Sequence, residues 1–281
     1  MAIACPDVLL RRDVPLAPLT TMKVGGTADL FAEPASLEEL SALLSRGGPI
    51  RILGSGANLL VRDSGVRGLV IRLHRLQRRR GLYVEAGRNL ATLVKETVAE
   101  GRAGLECLAG VPATVGGAVA MNAGGRHGEI GSAVKSVDVI EEGRLVRRSR
   151  AEVGFRYRGT ALGSAVVVGA ELDLGFDPGV RARYEEILAA KKATQPLGCR
   201  NAGCMFRNPT VLSAGRVIDE AGLKGRSVGG IHVSRKHANF FINDGSGTAD
   251  DAFRLVDLVR EEVRRRTGIE LELEIVVWGE A

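Results

Sequence analysis

The stretch from Gly104 to Gly125, GLECLAGVPATVGGAVAMNAGG, constrains this chain most. It consists mainly of small residues and turn formers, so its main chain can approach another group closely, and Pro112 stiffens a bend within it. Main-chain N–H groups that converge in this way suit a bound phosphate. A tightly packed turn and helix in a glycine-rich core is the other interpretation of this stretch taken by itself.

The first glycine-rich loop along the chain, Gly54 to Leu60 (GSGANLL), follows the apolar run Ile50 to Leu53; the stretch from Gly104 to Gly125 is the second. The loop lacks the third glycine of the dinucleotide-binding fingerprint G-x-G-x-x-G, and no Gly-Lys-Ser/Thr follows it as in a Walker loop. Each of the two loops contains an asparagine, Asn58 or Asn122. Together they suggest one long diphosphate cofactor held from both sides.

The composition favours a small acidic ligand over nucleic acid. The chain has 281 residues, a formal net charge of +6 and 37 glycines, nearly twice the usual glycine share of about 7%. A positive charge fits nucleotides and nucleic acid alike, but aromatic residues make up only 4% of the chain, too few for a base-stacking surface. The arginine-rich runs at 75–80 and 144–150 are interpreted as solvated loops or exposed hairpin edges. The length allows two or three domains.

Cysteine spacing and hydropathy argue against a disulfide-linked, zinc-binding or membrane-spanning protein. Cys5, Cys107, Cys199 and Cys204 include no C-x-x-C pair, so neither a disulfide framework nor a zinc site is predicted. The sequence contains no predominantly apolar stretch long enough to cross a membrane, since its longest charge-free run, 107–125, is rich in glycine and contains Pro112 and Asn122. We therefore expect a soluble, cytoplasmic protein with no bound metal and no membrane insertion. No obligate protein partner is predicted either.

Hydrophobic periodicity predicts a mixture of strands and helices, an α+β pattern. The final segment, 269–278, alternates apolar and acidic residues and is predicted as one strand with Glu272 and Glu274 on its polar face. A break near 175–179 suggests a domain boundary. The other predicted strands are 29–32, 50–53, 69–73, 82–86, 134–141, 144–149, 165–174 and 239–243; the predicted helices begin at the Ser36–Glu39 capping box, at Asn89, Val180 and Ser213, and at the Thr248–Asp251 cap.

Three polar residues outside the glycine-rich loops are candidates for chemistry. Arg158 lies in FRYRG, Cys204 in RNAGCMFRNP and Glu274 in the final strand. Each has a simpler interpretation: a surface arginine beside a turn, an inert buried thiol, and one of several solvated glutamates. Only their combination with a cofactor site makes them candidates.

Eight segments, in a fixed order along nearly the whole chain, resemble one family. They are TTMKVGG, LGSGANLLV, GLECLAGVPATVGGAVAMNAGG, FRYR, NAGCMFRNP, AGLKG, VSRKHANFFIN and GIELELEIVVWG. Together they are similar to the UDP-N-acetylenolpyruvoylglucosamine reductase (MurB) family of flavoenzymes. The resemblance implies an FAD-binding fold of the vanillyl-alcohol oxidase type at 1–176, with α+β subdomains at about 1–74 and 75–176. An α+β substrate domain would follow at 177–281, its last strand returning to the first subdomain.

The resemblance also implies a ligand set and a reaction. FAD would bind noncovalently, NADPH would supply the hydride, and an enolpyruvyl UDP-sugar would be reduced to UDP-N-acetylmuramate for peptidoglycan synthesis. The family's catalytic arginine, serine and glutamate fall on Arg158, Cys204 and Glu274, so a cysteine replaces the serine. The implied cofactor-binding residues are Gly54, Ser55, Gly56, Ala57, Asn58, Leu59, Thr114, Gly117, Ala118, Asn122 and Gly124; the implied substrate- or nicotinamide-binding residues are Lys192, Asn208, Lys224, Lys236, His237 and Asn239.

This chain differs from larger members of the family in one loop, and two other functions remain as alternatives. The short interval between Arg158 and Cys204 lacks room for the extra loop, with a substrate-binding tyrosine, that larger members carry. Another flavin oxidase or dehydrogenase of the same fold, acting on an alcohol or lactone, is the first rival. Such enzymes often tether flavin through histidine, and no histidine lies in the 54–60 loop. A basic nucleic-acid-binding protein is the second rival, disfavoured by the few aromatic residues.

Overall fold

The computed structural model describes residues 8–209 and 212–280, and the fold is α+β. Strands lie at Arg11–Pro15 (β1), Thr27–Ala32 (β2), Ile50–Leu53 (β3), Leu59–Val61 (β4), Val66–Arg72 (β5), Arg79–Arg80 (β6), Tyr83–Glu85 (β7), Arg102–Ala103 (β8), Gly124–Gly125 (β9), Gly128–Glu129 (β10), Val134–Glu141 (β11), Arg144–Ser149 (β12), Val166–Leu172 (β13), Gly175–Phe176 (β14), Ser227–Val228 (β15), Ile231–Val233 (β16), Phe241–Asn243 (β17) and Val276–Trp278 (β18). Helices lie at Leu37–Leu44 (α1), Leu90–Ala99 (α2), Val115–Ala120 (α3), Arg150–Val153 (α4), Val180–Thr194 (α5), Ala214–Glu220 (α6) and Ala249–Thr267 (α7). In this described part of the chain, no helix is both long and apolar enough to span a membrane.

The chain divides into two compact units, each assembled from several segments. Among the described residues, unit 1 contains 8–11, 30–55 and 68–190, and unit 2 contains 12–29, 56–67 and the residues from 191 onward. The division between the units falls within β1, β2, β5 and α5, and within the 54–60 loop. Each domain expected from the sequence, 1–176 or 177–281, is a single continuous stretch, unlike these two units. The expected domain limits stay a prediction.

Unit 1 is built on an antiparallel sheet with the strand order β12-β11-β13-β7-β6. Helix α2 begins where the Asn89 side chain accepts a hydrogen bond from the Thr92 N–H. Leu90, Leu93 and Val94 of that helix are buried in the core of the unit. Strands β3 and β5 form a parallel pair, which fixes the point where the chain leaves β3 for the first glycine-rich loop.

Unit 2 combines a three-stranded antiparallel sheet, β15-β16-β17, with a parallel pair of β4 and β18. Helix α7 begins at a reciprocal capping box between Thr248 and Asp251 and ends at Gly268, whose φ of 71° is left-handed. Its buried face, which includes Val256, packs into a core shared with Phe206. This core supports the segments that carry two of the predicted catalytic residues.

Most predicted elements are confirmed, with small shifts at their ends. The prediction of one strand over 269–278 is wrong, because only Val276–Trp278 is a strand. The Glu274 N–H donates to the Met205 carbonyl (2.9 Å), whereas the Val276 N–H donates to the Asn58 carbonyl (3.0 Å). The segment bends at this point because its hydrogen-bonding neighbour changes from the segment at Met205 to the segment at Asn58. Cys5 lies outside the described residues.

Candidate active site

The loop that follows β3 presents a row of main-chain donors. Within the described part of the chain, none of the N–H groups of residues 54–58 donates a hydrogen bond to a protein acceptor. Gly56, with a φ of 64°, takes the left-handed conformation that lets the loop curl. Consecutive N–H groups in such a loop form a concavity suited to an anion. A diphosphate therefore fits the chemistry of this donor set.

In unit 1, Gly54 and Ser55 lie against the second glycine-rich stretch. The Ser55 hydroxyl donates to the Pro112 carbonyl at 3.3 Å. A Cβ atom at Gly54 would come within 2.7 Å of the Thr114 hydroxyl oxygen, the atom that caps α3 by accepting from the Gly117 N–H. The sequence prediction treated these two stretches as parts of one site, and within unit 1 the structure brings Gly54 and Ser55 into contact with Pro112 and Thr114.

Two predicted cofactor residues of unit 1 have their side chains inside the protein. Ala118 is buried in the core. Asn122 is also buried, and its amide nitrogen donates to Glu129 Oε2 (2.6 Å) and to the Arg156 carbonyl (3.1 Å). Its amide oxygen accepts from the Gly131 N–H (3.1 Å). Both amide donors are thus used within the protein, and cofactor binding by Ala118 and Asn122 stays a prediction.

Arg158 lies in a tight turn of unit 1. Arg156 and Gly159 each donate an N–H to the other's carbonyl, at 3.0 and 3.1 Å. Arg158 has a φ of 54°, a conformation that costs a residue other than glycine on the order of 1–3 kcal/mol. Its guanidinium donates to the Gly124 carbonyl at 3.1 Å and lies 4.9 Å from the centre of the Tyr157 ring. Strain of this kind, held by surrounding contacts, is typical of functional positions.

In unit 2, the segment that carries Cys204 runs between two neighbouring segments. On one side, Cys204 pairs with Phe240, and the Met205 N–H donates to the Asn239 carbonyl at 2.8 Å. On the other side, the Met205 carbonyl accepts from the Glu274 N–H at 2.9 Å. Glu274 is therefore hydrogen-bonded to the residue next to Cys204. The fold brings together two predicted catalytic residues that are far apart in sequence.

Asn58 and Thr21 connect this arrangement to the first glycine-rich loop. The Asn58 amide donates to the Glu274 carbonyl at 3.3 Å. Thr21 donates its N–H to the Gly56 carbonyl (3.2 Å) and its hydroxyl to the Asn201 carbonyl (2.6 Å). Thr21 thus holds the glycine loop and the thiol-bearing segment together within unit 2. Sequence reasoning missed this role, although the residue lies in the TTMKVGG motif.

The predicted substrate-binding lysines of unit 2 are not buried. Lys224 forms an ion pair with Asp219 at 2.6 Å, and the Lys236 ammonium donates to the Lys192 carbonyl. The Asn208 side-chain oxygen accepts from the first N–H of α6 at 3.1 Å. The structure therefore leaves positive charge at the surface, where an acidic ligand can reach it.

Asn239 and His237 lie in the same part of unit 2. Asn239 is buried, and its amide exchanges hydrogen bonds with the main chain of Phe206, accepting at 2.9 Å and donating at 2.8 Å. Burial lowers the pKa of His237 below its ordinary value, and the positive charge of Lys224 acts in the same direction. This shift favours the neutral imidazole. Substrate binding by Asn239 stays a prediction, since its amide supports the Cys204 segment.

Comparison with known proteins assigns this arrangement to one family. Residues 28–149 match the family model described as an FAD binding domain, and residues 195–278 match the UDP-N-acetylenolpyruvoylglucosamine reductase C-terminal domain. The UDP-N-acetylenolpyruvoylglucosamine reductase of Moorella thermoacetica is 46% identical over 278 residues, covering 95% of this chain and 92% of the relative. The chain belongs to the UDP-N-acetylenolpyruvoylglucosamine reductase family.

Another relative and a solved structure agree with membership of the UDP-N-acetylenolpyruvoylglucosamine reductase family. UDP-N-acetylenolpyruvoylglucosamine reductase 2 of Symbiobacterium thermophilum is 42% identical over 284 residues, covering 96% of this chain and 92% of the relative. The crystal structure of the MurB reductase from Thermus caldophilus matches with a TM-score of 0.88 and 39% identity, covering 97% of this chain and 100% of that one. The family and the FAD-binding fold predicted from the sequence are confirmed.

Proposed function

We propose that this protein reduces enolpyruvyl-UDP-N-acetylglucosamine to UDP-N-acetylmuramate with NADPH, through noncovalently bound FAD. The reaction supplies a precursor for peptidoglycan, and we place it in the cytoplasm. Membership of the reductase family supports the substrate and the cofactor. The observation that supports the chemistry most directly is the hydrogen bond that joins Glu274 to the residue next to Cys204.

The two glycine-rich stretches are proposed to hold FAD, which when bound accepts a hydride from NADPH and passes it to the substrate. The N–H groups of residues 54–58 supply hydrogen-bond donors for its diphosphate. Thr114, Gly117 and Gly124 are proposed to line the flavin. No histidine lies in the 54–60 loop, which agrees with noncovalent binding.

Arg158, Glu274 and Cys204 are proposed to divide the chemistry of the substrate. Hydride addition at C3 of the enolpyruvyl group develops negative charge at C2 and on its carboxylate. The Arg158 guanidinium stabilises that charge, and Glu274, if protonated, donates a hydrogen bond to the enolate oxygen. Cys204 then donates its thiol proton to C2. A thiol has a reference pKa of about 8.5, which suits a general acid near neutral pH.

The UDP-sugar is proposed to bind in the domain at 177–281, and FAD in the domain at 1–176. The lysines 192, 224 and 236 supply positive charge for the substrate's diphosphate. Asn208 and the neutral His237 supply uncharged hydrogen-bonding groups. Neither nucleic acid nor an obligate protein partner takes part in the proposed reaction.

The absorbance spectrum and the turnover of the purified protein test this function. We expect flavin bands that pass into the supernatant on acid precipitation, and NADPH oxidation that depends on the enolpyruvyl substrate. A colourless protein to which FAD does not bind would overturn the proposal. Bound flavin that is reduced by an alcohol or lactone, or that is reoxidised only by an acceptor other than the enolpyruvyl substrate, would indicate a different flavin oxidoreductase.

Glu274→Gln is expected to lower kcat by about a hundredfold, the scale on which loss of one transition-state donor acts, whereas Glu272→Gln stays near the parent. Glu274 is half-buried beside the Cys204 segment, while Glu272 is exposed. Steady-state NADPH oxidation at saturating substrate measures the difference. If both substitutions lower kcat only slightly and equally, the prediction is wrong, and both glutamates are solvated side chains without a catalytic role.

A further inference from the structure

Arg158 belongs to a closed circuit of hydrogen bonds within unit 1. Its guanidinium donates to the Gly124 carbonyl at 3.1 Å. The turn that carries it is anchored at Arg156, whose carbonyl accepts from the Asn122 amide at 3.1 Å. The same amide nitrogen donates to Glu129 Oε2 at 2.6 Å. Both the backbone and the side chain of Arg158 are thus tied to one small group of residues.

The hairpin of β9 and β10 closes the circuit. Gly124 lies opposite Glu129 in this antiparallel pair. A Cβ atom at Gly124 would come within 2.4 Å of the Gly128 carbonyl oxygen and 2.5 Å of the Glu129 Cα, so only glycine allows the strands to approach this closely. The carbonyl that accepts from Arg158 is therefore held by the strand that carries Glu129.

We infer that Asn122 and Glu129 are positioning residues that fix the guanidinium of Arg158 for the reduction. The inference rests on the proposed function and adds to it two residues that act through the arginine. Glu129 was not among the residues predicted from the sequence, and Asn122 was predicted to bind the cofactor. The circuit assigns both side chains to the support of Arg158.

The physical reason lies in the burial of Asn122 and in the conformation of Arg158. Asn122 is buried and itself has a left-handed φ of 43°, so its three hydrogen bonds hold both its side chain and its strained main chain. A buried amide that loses its carboxylate acceptor keeps an unpaired donor, which destabilises the native arrangement. The Arg156–Gly159 turn also holds Arg158 in an unfavourable conformation. Once the circuit is broken, that turn is free to relax and to carry the guanidinium away.

A double-mutant cycle between Glu129 and Arg158 tests the inference. The rates of flavin reduction by NADPH and of reoxidation by the enolpyruvyl substrate are measured separately, by anaerobic rapid mixing. Glu129→Ala is expected to slow reoxidation about tenfold and to leave reduction unchanged. In the Arg158→Ala background it is expected to have no further effect, because coupled residues are not additive. Glu129→Gln should retain most of the rate, since its side-chain carbonyl can still accept from Asn122.

Glu152→Ala is the matched control. Its carboxylate also makes structural hydrogen bonds in unit 1, where it caps α4 through Ser149, but it takes no part in the circuit. Its effect on reoxidation, whatever its size, is expected to be the same in the parent and in Arg158→Ala. If Glu129→Ala shows the same additivity as this control, the inference is overturned.

A measurement without substrate separates the inference from the proposed function. Nuclear magnetic resonance of ¹⁵N-labelled arginine Nε groups identifies the Arg158 signal by its loss in Arg158→Ala. We expect that signal to shift or broaden in Glu129→Ala and to stay in place in Glu129→Gln and Glu152→Ala. An Arg158 signal unchanged in Glu129→Ala would contradict positioning. A parent protein that fails to reduce the enolpyruvyl substrate would contradict the function alone, and the arginine signal would still decide the role of Glu129.

Discussion

Replacing Cys204 with alanine is expected to leave flavin reduction by NADPH near the parent rate and to slow substrate-driven reoxidation by about a hundredfold or more, the scale of lost general acid catalysis. Hydride transfer from NADPH needs no acid from the protein, whereas the reduced enolpyruvyl group needs a proton at C2. The hydrogen bonds of Met205 place the thiol-bearing segment beside Glu274. Anaerobic stopped-flow absorbance of the flavin, first with NADPH and then with substrate, separates the two steps.

Two further variants control this experiment. Cys204→Ser is expected to keep substantial activity, because the hydroxyl restores the donor implied by the family resemblance. Cys199→Ala removes an exposed thiol from the same unit and is expected to leave both steps near the parent rate. If Cys204→Ala reoxidises as fast as the parent, then water or another side chain supplies the proton.

Gly56→Val is expected to abolish flavin retention, because the loop can no longer keep the conformation that exposes its N–H groups. Gly56 has a φ of 64°, and a Cβ atom there would lie 2.6 Å from the Leu19 carbonyl oxygen and 2.8 Å from the Thr20 Cα. The added atoms would meet the protein's own main chain, and the loop would have to move.

Gly81→Val is a matched control for Gly56→Val. Gly81 has nearly the same φ, 61°, but nothing lies within 4 Å of an added Cβ atom. Both variants therefore carry similar backbone strain, and only Gly56→Val carries the clash. Flavin absorbance per protein, together with circular dichroism to verify folding, measures the outcome. A folded Gly56→Val protein with the flavin content of Gly81→Val would contradict the assignment of this loop to the cofactor.

The final segment shows where a pattern in the sequence stops being informative. Alternation of apolar and acidic residues placed Glu272 and Glu274 on one face of a continuous strand. In the structure Glu272 is exposed and Glu274 half-buried, and regular strand is confined to Val276–Trp278. Periodicity describes a segment as if it had one neighbour throughout, and this segment has two.

A pattern in the sequence also does not show which polar side chains are already hydrogen-bonded within the protein. Residue type and motif marked Asn122 and Asn239 as ligand-binding, which stays a prediction, and the structure adds that their amides are hydrogen-bonded to Glu129 and to the Phe206 main chain. An asparagine that binds a ligand and one that braces a turn look the same in a single sequence. Thr21 shows the converse, since nothing but its motif distinguished it from other threonines.

The sequence by itself determined the family, the α+β fold class, most of the helices and longer strands, and the two glycine-rich loops. These features are local, because apolar periodicity, capping residues and glycines act over a few neighbouring positions. Only the tertiary structure decided which of the marked side chains meet. The hydroxyl of Thr21 bonds a carbonyl 180 residues away, and the amide of Asn58 bonds one 216 residues away. Such partners are chosen by the packing of whole segments against one another, which no local pattern encodes.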